Sequence, residues 1–132
     1  MKQFSNLIAI LVTALGIVGF IAPTAVADSR GEISHVVVLW LKHPGNVEEE
    51  NALIRATHSF RRIHGVRRIE VGRSLPVHRP EIEQAFDLCA IITFKDEAAL
   101  TKFDNDKRHA QAVELFLKPF VRRYVIYNFA AD

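Results

Sequence analysis

The stretch Ile33–Lys42 constrains the fold of this chain more than any other part of the sequence. It is the most apolar run outside the N-terminus, it is rich in β-branched residues, and Pro44 and Gly45 follow it. These features predict a β-strand. Strand side chains alternate, which gives two predicted faces: Ile33, His35, Val37, Leu39 and Leu41 on one, and Ser34, Val36, Val38 and Trp40 on the other.

Both predicted faces of this strand are mostly apolar, so both of them require cover. A small domain with one sheet and few helices covers only one face by itself. The sequence therefore predicts a homodimer in which the second face is buried against another copy of the chain. The predicted contact residues are Val36, Val38 and Trp40, with Trp40 as the anchor of the interface.

The rest of the chain predicts three further strands and two helical regions. A helix capped by Asn46 precedes a strand over Val66–Arg73, and two more strands are predicted over Phe86–Lys95 and Phe120–Phe129. An interrupted helical region separates the last two strands. The order β-α-β-β-α-β predicts an α+β, ferredoxin-like fold, with a four-stranded antiparallel sheet and the helices on one face.

Residues 1–27 have the organisation of a secretory signal peptide. One lysine is the only charge before Asp28, an almost wholly apolar run spans residues 7–22, and residues 25–27 form a small-x-small site. We expect cleavage between Ala27 and Asp28, export to the bacterial periplasm or the medium, and a mature domain of residues 28–132 without a stable membrane anchor. The alternative is an uncleaved anchor, although a spanning helix needs about 20 apolar residues and this run is shorter.

Composition and residue spacing argue against several classes of function. A formal charge of +2 is close to balance and gives no polybasic surface, so nucleic acid is not an expected partner. The single Cys89 has no partner for a disulfide within the chain. No metal site is expected, because ligand spacing is lacking among His43, His58, His64 and His78. No Gly-rich phosphate loop or nucleophile motif is present, and no cofactor is predicted.

Four segments of the chain occur in an order that is typical of one known family. The first strand opens with Ile33-Ser-His-Val-Val-Val-Leu39, and Ile63-His-Gly-Val66 is similar to an Ile-Pro-Gly-Val segment. Asp87–Leu100 is similar to a third strand with the helix start after it, and His109–Pro119 to a segment that begins at a second histidine. Together they resemble the stress-responsive A/B barrel (Dabb) domain family. The resemblance covers nearly all of residues 28–132 and implies a dimeric α+β barrel.

The resemblance also implies roles for two histidines. Some plant members of the family are polyketide cyclases, in which a strand histidine and a helix histidine act as acid–base partners beside a tyrosine. Carried over residue by residue, the strand histidine is His35 and the helix histidine is His109. The tyrosine position falls at Phe103, which has no hydroxyl, and the usual His-Pro-x-His run is Asp106-Lys-Arg-His109 in this sequence. Two of the three parts of that site are therefore present.

A cleft between the first strand and the helices would bring these two histidines together. Two imidazoles in one cleft are suited to proton transfer from an activated carbon, and apolar walls with a few polar groups are typical of a small-molecule pocket. The alternative is a core His35 bonded to backbone and a surface His109. The predicted pocket walls are Leu39, Phe86, Phe94, Phe103, Phe116 and Tyr127.

The sequence leaves three functions open. The leading hypothesis is an exported homodimer that binds a small apolar or aromatic molecule without an established reaction. The enzyme alternative is cofactor-independent acid–base chemistry (a cyclase, lyase or monooxygenase-like step) with His35 and His109 as the proton-transfer pair. A third hypothesis is haem binding with one of these histidines as axial ligand, because other dimeric α+β barrels bind haem; no feature of the sequence favours it.

Overall fold

The computed structural model describes residues 30–77, 79–82 and 85–132, and its elements follow the predicted order. The predicted signal peptide, residues 1–27, lies outside the described residues. The strands are β1 (Ile33–Leu41), β2 (Val66–Arg73), β3 (Leu88–Phe94) and β4 (Val121–Ala130). The helices are α1 (Val47–Ser59), α2 (Glu97–Asp104), α3 (Lys107–Ala112) and α4 (Lys118–Phe120), with a 3-10 turn at Phe60–Arg62 and a π-helical stretch at Val113–Leu117.

The four strands form one sheet in the order β2-β3-β1-β4, and every neighbouring pair is antiparallel. This is the predicted ferredoxin-like α+β topology. The central strand β1 places His35 opposite Ile92 of β3 on one side and opposite Asn128 of β4 on the other. Side chains that face each other in this register lie on the same side of the sheet, so His35 and Asn128 share a face.

Side-chain caps fix where the helices begin. Asn46 accepts hydrogen bonds from the backbone N–H groups of residues 48 and 49 at 3.1 and 3.2 Å, as predicted, and Asp96 caps α2. The interruption between α2 and α3 is a second helix start, because the carboxylate of Asp106 accepts from the N–H of Arg108 at 2.8 Å. This cap lies three residues before His109. It fixes where α3 begins and therefore which way the helix turns the side chain of His109.

The turn before β2 requires glycine. Gly65 has a φ of +95°, a conformation that residues with a side chain rarely adopt. A Cβ atom at this position would lie 2.5 Å from the Cβ of Ala99, so α2 packs directly on the backbone of the turn. The glycine of the Ile63–Val66 segment is therefore needed both for the turn and for the approach of α2 to the sheet.

The hydrophobic core consists of two clusters between the sheet and the helices. One contains Ile33, Phe60, Ile63, Ile69, Ile92, Phe94, Ala99 and Phe103. The other contains Leu39, Leu41, Leu53, Leu88 and Val121. Because β1 contributes residues to both clusters, the space between them lies beside the middle of this strand. No helix in the described part of the chain is long and apolar enough to span a lipid bilayer.

The opposite face of the sheet carries the residues predicted to form the interface. Val36 and Val38 are half-buried in the single chain, and Trp40 is only 7% exposed, with the guanidinium of Arg123 lying 4.4 Å from its ring centroid. On the same face, Tyr127 of the edge strand β4 is 60% exposed and Phe129 is 56% exposed. The apolar side chains that remain open on this face are therefore mainly those of β4.

Candidate functional site

A cavity of about 180 Å³ lies between the two core clusters, under the helices. From the sheet it is lined by His35, Val37 and Leu39 of β1, Ala90 and Ile92 of β3, and Tyr124 and Ile126 of β4. From the helical layer it is lined by Leu53, Ala56, Thr57, Phe60, Phe103, His109, Ala112, Val113, Phe116 and Leu117. Both histidines that the sequence singled out therefore lie in the wall of one cavity.

Three of the six predicted pocket walls, Leu39, Phe103 and Phe116, line this cavity. Phe94 does not, because it is fully buried in the core, where its ring meets that of His35 edge-on at 6.2 Å. Tyr127 does not either, because the register of β4 pairs it with Val36 on the opposite face of the sheet. The predictions for Phe94 and Tyr127 are corrected accordingly.

The prediction for Phe86 is also corrected. Strand β3 begins at Leu88, so Phe86 precedes it and does not follow the alternation of its side chains. Phe86 instead lines a second cavity beside the connection between β2 and β3, together with Cys89 and Ile91 of the opposite sheet face. This second cavity lies on the other side of the sheet from His35 and His109.

A hydrogen bond to Asn128 orients the buried ring of His35. The imidazole is 7% exposed, and its Nδ1 lies 2.7 Å from Oδ1 of Asn128. Because an amide oxygen only accepts, this bond requires the imidazole hydrogen on Nδ1. The neutral ring then keeps a free lone pair on Nε2, which makes His35 a proton acceptor.

The ring of Phe103 packs against both imidazoles. Its centroid is 6.1 Å from that of His35 and 4.4 Å from that of His109, and Phe60 packs edge-on against it at 5.1 Å. Phe103 is 1% exposed. The position that the resemblance assigns to a tyrosine is thus filled by an apolar ring in contact with both histidines. Any hydroxyl for this cavity has to come from another residue.

Asp106 stabilises the start of helix α3, which positions His109 at the cavity. Its carboxylate pairs with the guanidinium of Arg108 at 2.9 Å as well as capping α3. The side-chain hydrogen bond from Arg108 is the main reason that the pKa of Asp106 is lowered to about 2. The carboxylate therefore remains charged through the neutral range, and the helix start stays capped there.

Sequence reasoning missed three polar residues of the site, Thr57 of α1 and Tyr124 and Asn128 of β4. Asn128 follows the alternation of β4 and pairs with His35, a register that only the assembled sheet reveals. Tyr124 pairs with Leu39, is half exposed and lines the cavity, so a tyrosine is present at the cavity although Phe103 has no hydroxyl. The available signal was the two-residue period of β4, which places Tyr124, Ile126 and Asn128 on one face.

The cavity has histidines in its wall but little enclosed space for a haem group. Its volume of about 180 Å³ is close to the roughly 150 Å³ of an engineered cavity that holds benzene. Within the described residues, no three His, Cys, Asp or Glu side chains converge as candidate metal ligands. His78 lies outside the described part of the chain.

The buried His35 is expected to make stability depend on pH. Burial lowers its pKa from the ordinary 6.5, with a smaller contribution from His109, against opposing effects of the Asn128 hydrogen bond and the charge of Asp104. The unfolded chain then binds the proton more readily than the folded chain. The stabilisation is complete above pH 6.5 and is lost as the pH falls from there towards the folded-state pKa.

His35→Phe tests this dependence, because it keeps an aromatic ring and removes the titration. Urea midpoints measured at several values from pH 7.5 down to pH 5 should fall more steeply for the native protein than for the variant. Equal slopes in the two proteins would show that His35 titrates alike in the folded and unfolded chains.

Comparison with known proteins gives a family and a set of similar folds. The sequence model of the Stress responsive A/B Barrel Domain (Dabb) family matches residues 33–131. A Dabb family protein with a ferredoxin-like fold from Mesorhizobium loti is 27% identical, covering 78% of this chain and 99% of its own, with a TM-score of 0.65. No curated protein matches the chain.

Two more distant structures share the fold. A dimeric protein of unknown function from Bacteroides fragilis is 18% identical, covering 79% of this chain and 100% of its own, with a TM-score of 0.61. Hydroxynitrile lyase from Passiflora edulis is also 18% identical, covering 78% of this chain and 95% of its own, with a TM-score of 0.63.

Proposed function

The chain belongs to the Stress responsive A/B Barrel Domain (Dabb) family, and on this premise we propose that it is an exported homodimer in which each subunit binds a small apolar or aromatic molecule. The observation that carries the proposal is the apolar cavity with His35 and His109 in its wall. A few polar groups within apolar walls are the usual composition of a small-molecule site.

The proposal of a homodimer is supported by the open face of the sheet. Tyr127 and Phe129 expose more than half of their side-chain surface there, and apolar surface of this kind favours association. Structures with the same fold include proteins that are dimeric.

Export is supported by the sequence of residues 1–27. If it occurs, the protein recovered from the periplasm or medium of an expressing bacterium has the intact mass of residues 28–132. Recovery of the uncleaved chain from the membrane fraction would favour an anchor instead. Mass spectrometry of the two fractions therefore separates the two outcomes.

Ligand binding is tested by a thermal-shift screen of single-ring aromatic compounds, with two matched variants. Ala112 lines the cavity and Ala110 is exposed on the same helix, outside it. A ligand at 100 times its dissociation constant adds about 2.7 kcal/mol, which raises the melting temperature of a domain of about 100 residues by roughly 10 °C.

The two variants distinguish cavity binding from surface binding. In Ala112→Phe the added ring fills the cavity, so the thermal shift should be lost, whereas Ala110→Phe should keep it. A hit that survives Ala112→Phe unchanged binds elsewhere, and a screen without any hit contradicts the proposed function.

A second candidate is acid–base catalysis in the same cavity. It is favoured by the position of His35 and His109 in the wall of one cavity, where both contact Phe103, and by the free lone pair that Asn128 leaves on His35. In such a reaction His35 would accept a proton from an activated C–H group through Nε2, and His109 would exchange a proton with the substrate's polar group. Once a substrate is known, His109→Ala should abolish turnover and retain substrate binding. Unchanged turnover in this variant would contradict a catalytic role for His109, and ligand binding would remain as the proposed function.

A further inference from the structure

The volume of the cavity limits the size of its ligand. About 180 Å³ is slightly more than the roughly 150 Å³ that accommodates benzene, and it lies below the range of about 300–1,000 Å³ that is typical of drug-sized ligands. One six-membered ring with small substituents fits this space. A longer substituent would have to leave between Tyr124 and Ile126, which line the cavity from the exposed edge strand.

The polar groups of the cavity limit the charge of its ligand. Among the described residues that line it there is no Lys, Arg, Asp or Glu. The hydroxyl of Thr57 already donates to the carbonyl of Leu53 at 2.8 Å, and Tyr124 is half exposed. His35 is therefore the deepest polar group that is free to meet a ligand, with His109 nearer to solvent.

His35 meets that ligand as an acceptor. Its Nδ1 hydrogen is used by Asn128, so the ligand has to supply the hydrogen for Nε2. Burial also lowers the pKa of His35, which disfavours the imidazolium that an anion would need. Asp104 raises this pKa and His109 lowers it, and the net shift is downward. A carboxylate in the cavity would lose its hydration without gaining a fixed cation.

We propose that the cavity selects an uncharged single-ring molecule that donates one hydrogen bond to His35, and rejects the carboxylate of the same size. The chemical class is that of phenols and other weakly acidic O–H or N–H compounds. This inference rests on the proposed function, because it assigns the ligand class of the same cavity.

Three compounds of nearly the same shape test it on the native protein. p-Cresol, p-xylene and p-toluate differ only in the group at one end of the ring, which is a hydroxyl, a methyl or a carboxylate. Calorimetry at pH 8, above the usual range of histidine titration, should show p-cresol binding roughly three- to tenfold more tightly than p-xylene. p-Toluate should bind at least about 30-fold more weakly than p-cresol.

A lysine at the mouth of the cavity should change this selectivity. Ile126 lines the cavity and is 44% exposed, so Ile126→Lys places a cation beside the ligand at a position that tolerates a polar side chain. The preference for p-cresol over p-toluate should narrow at least about tenfold. Leu115→Lys adds the same charge at an exposed position outside the cavity and should leave the preference unchanged.

His35→Leu addresses the hydrogen bond itself. This substitution should remove the difference in affinity between p-cresol and p-xylene. If the variant does not fold, the affinities of the three compounds for the native protein still test the selectivity. Equal or tighter binding of p-toluate, or of p-xylene, to the native protein overturns the selectivity while leaving a ligand-binding cavity. Failure of all three compounds to bind overturns the proposed function together with this inference.

Discussion

Replacing Phe103 with alanine is expected to lower the free energy of unfolding by about 3–5 kcal/mol, which is the usual cost of truncating a core aromatic residue. The side chain is 1% exposed, and its ring contacts those of Phe60, Phe94 and His109. The neighbouring rings cannot close the space because the sheet and two helical segments hold them. Urea denaturation at a fixed protein concentration measures the change, since stability of a dimer depends on concentration.

Leu115→Ala provides the control for this measurement. Leu115 lies in the π-helical stretch but is 60% exposed, so its truncation should change the free energy of unfolding by less than about 0.5 kcal/mol. If Phe103→Ala costs no more than Leu115→Ala, the aromatic cluster that contacts the two histidines is not packed as described.

The double substitution Tyr127→Asp and Phe129→Asp is expected to convert the proposed dimer into a folded monomer. These side chains are 60% and 56% exposed on the face of the sheet that the helices do not cover. In a two-fold interface on this face, each subunit would have to desolvate two carboxylates, and four like charges would be brought into one interface. Sedimentation velocity measures the mass, and circular dichroism checks that the subunit remains folded.

Leu115→Asp is the matched control. It places a carboxylate on the helical side of the molecule, at a residue that is as exposed as Tyr127. It should leave the dimer intact. A double variant of Tyr127 and Phe129 that keeps the dimer mass would show that this face is not the interface. Dissociation in Leu115→Asp alone would place the interface on the helices instead.

Trp40 is a poorer probe of that interface than the sequence suggested. Alternation along β1 correctly predicts that it lies on the face opposite His35. It does not predict that Arg123 of β4 covers the ring, which leaves only 7% of the residue exposed in the single chain. Trp40→Asp would therefore bury a charge within the subunit, and loss of the dimer would not be separable from unfolding.

The topology was predictable because each local signal agrees with it. Asn46 and Asp96 cap helices where the sequence indicates, and the apolar runs mark the four strands in the order of a ferredoxin-like fold. The family resemblance placed His35 and His109, and both line one cavity.

The finer parts of the site depend on register, which a single strand does not specify. The pairing of β1 with β4 brings Asn128 to His35 and turns Tyr127 away from the cavity. Phe86 and Phe94 show the same limit, because an aromatic residue in an apolar run is compatible with a cavity wall, a closed core or a loop. Only the packed structure distinguishes these three environments.

The central claim, that His35 and His109 share one ligand cavity, is tested most directly by nuclear magnetic resonance of the histidine rings. Isotopically labelled histidine is followed during a titration with p-cresol, and residue assignments come from single substitutions. The ring signals of His35 and His109 should shift along one common saturation curve, while those of the exposed His43 and His64 stay in place. Binding of p-cresol that leaves the signals of His35 and His109 unchanged would contradict the claim.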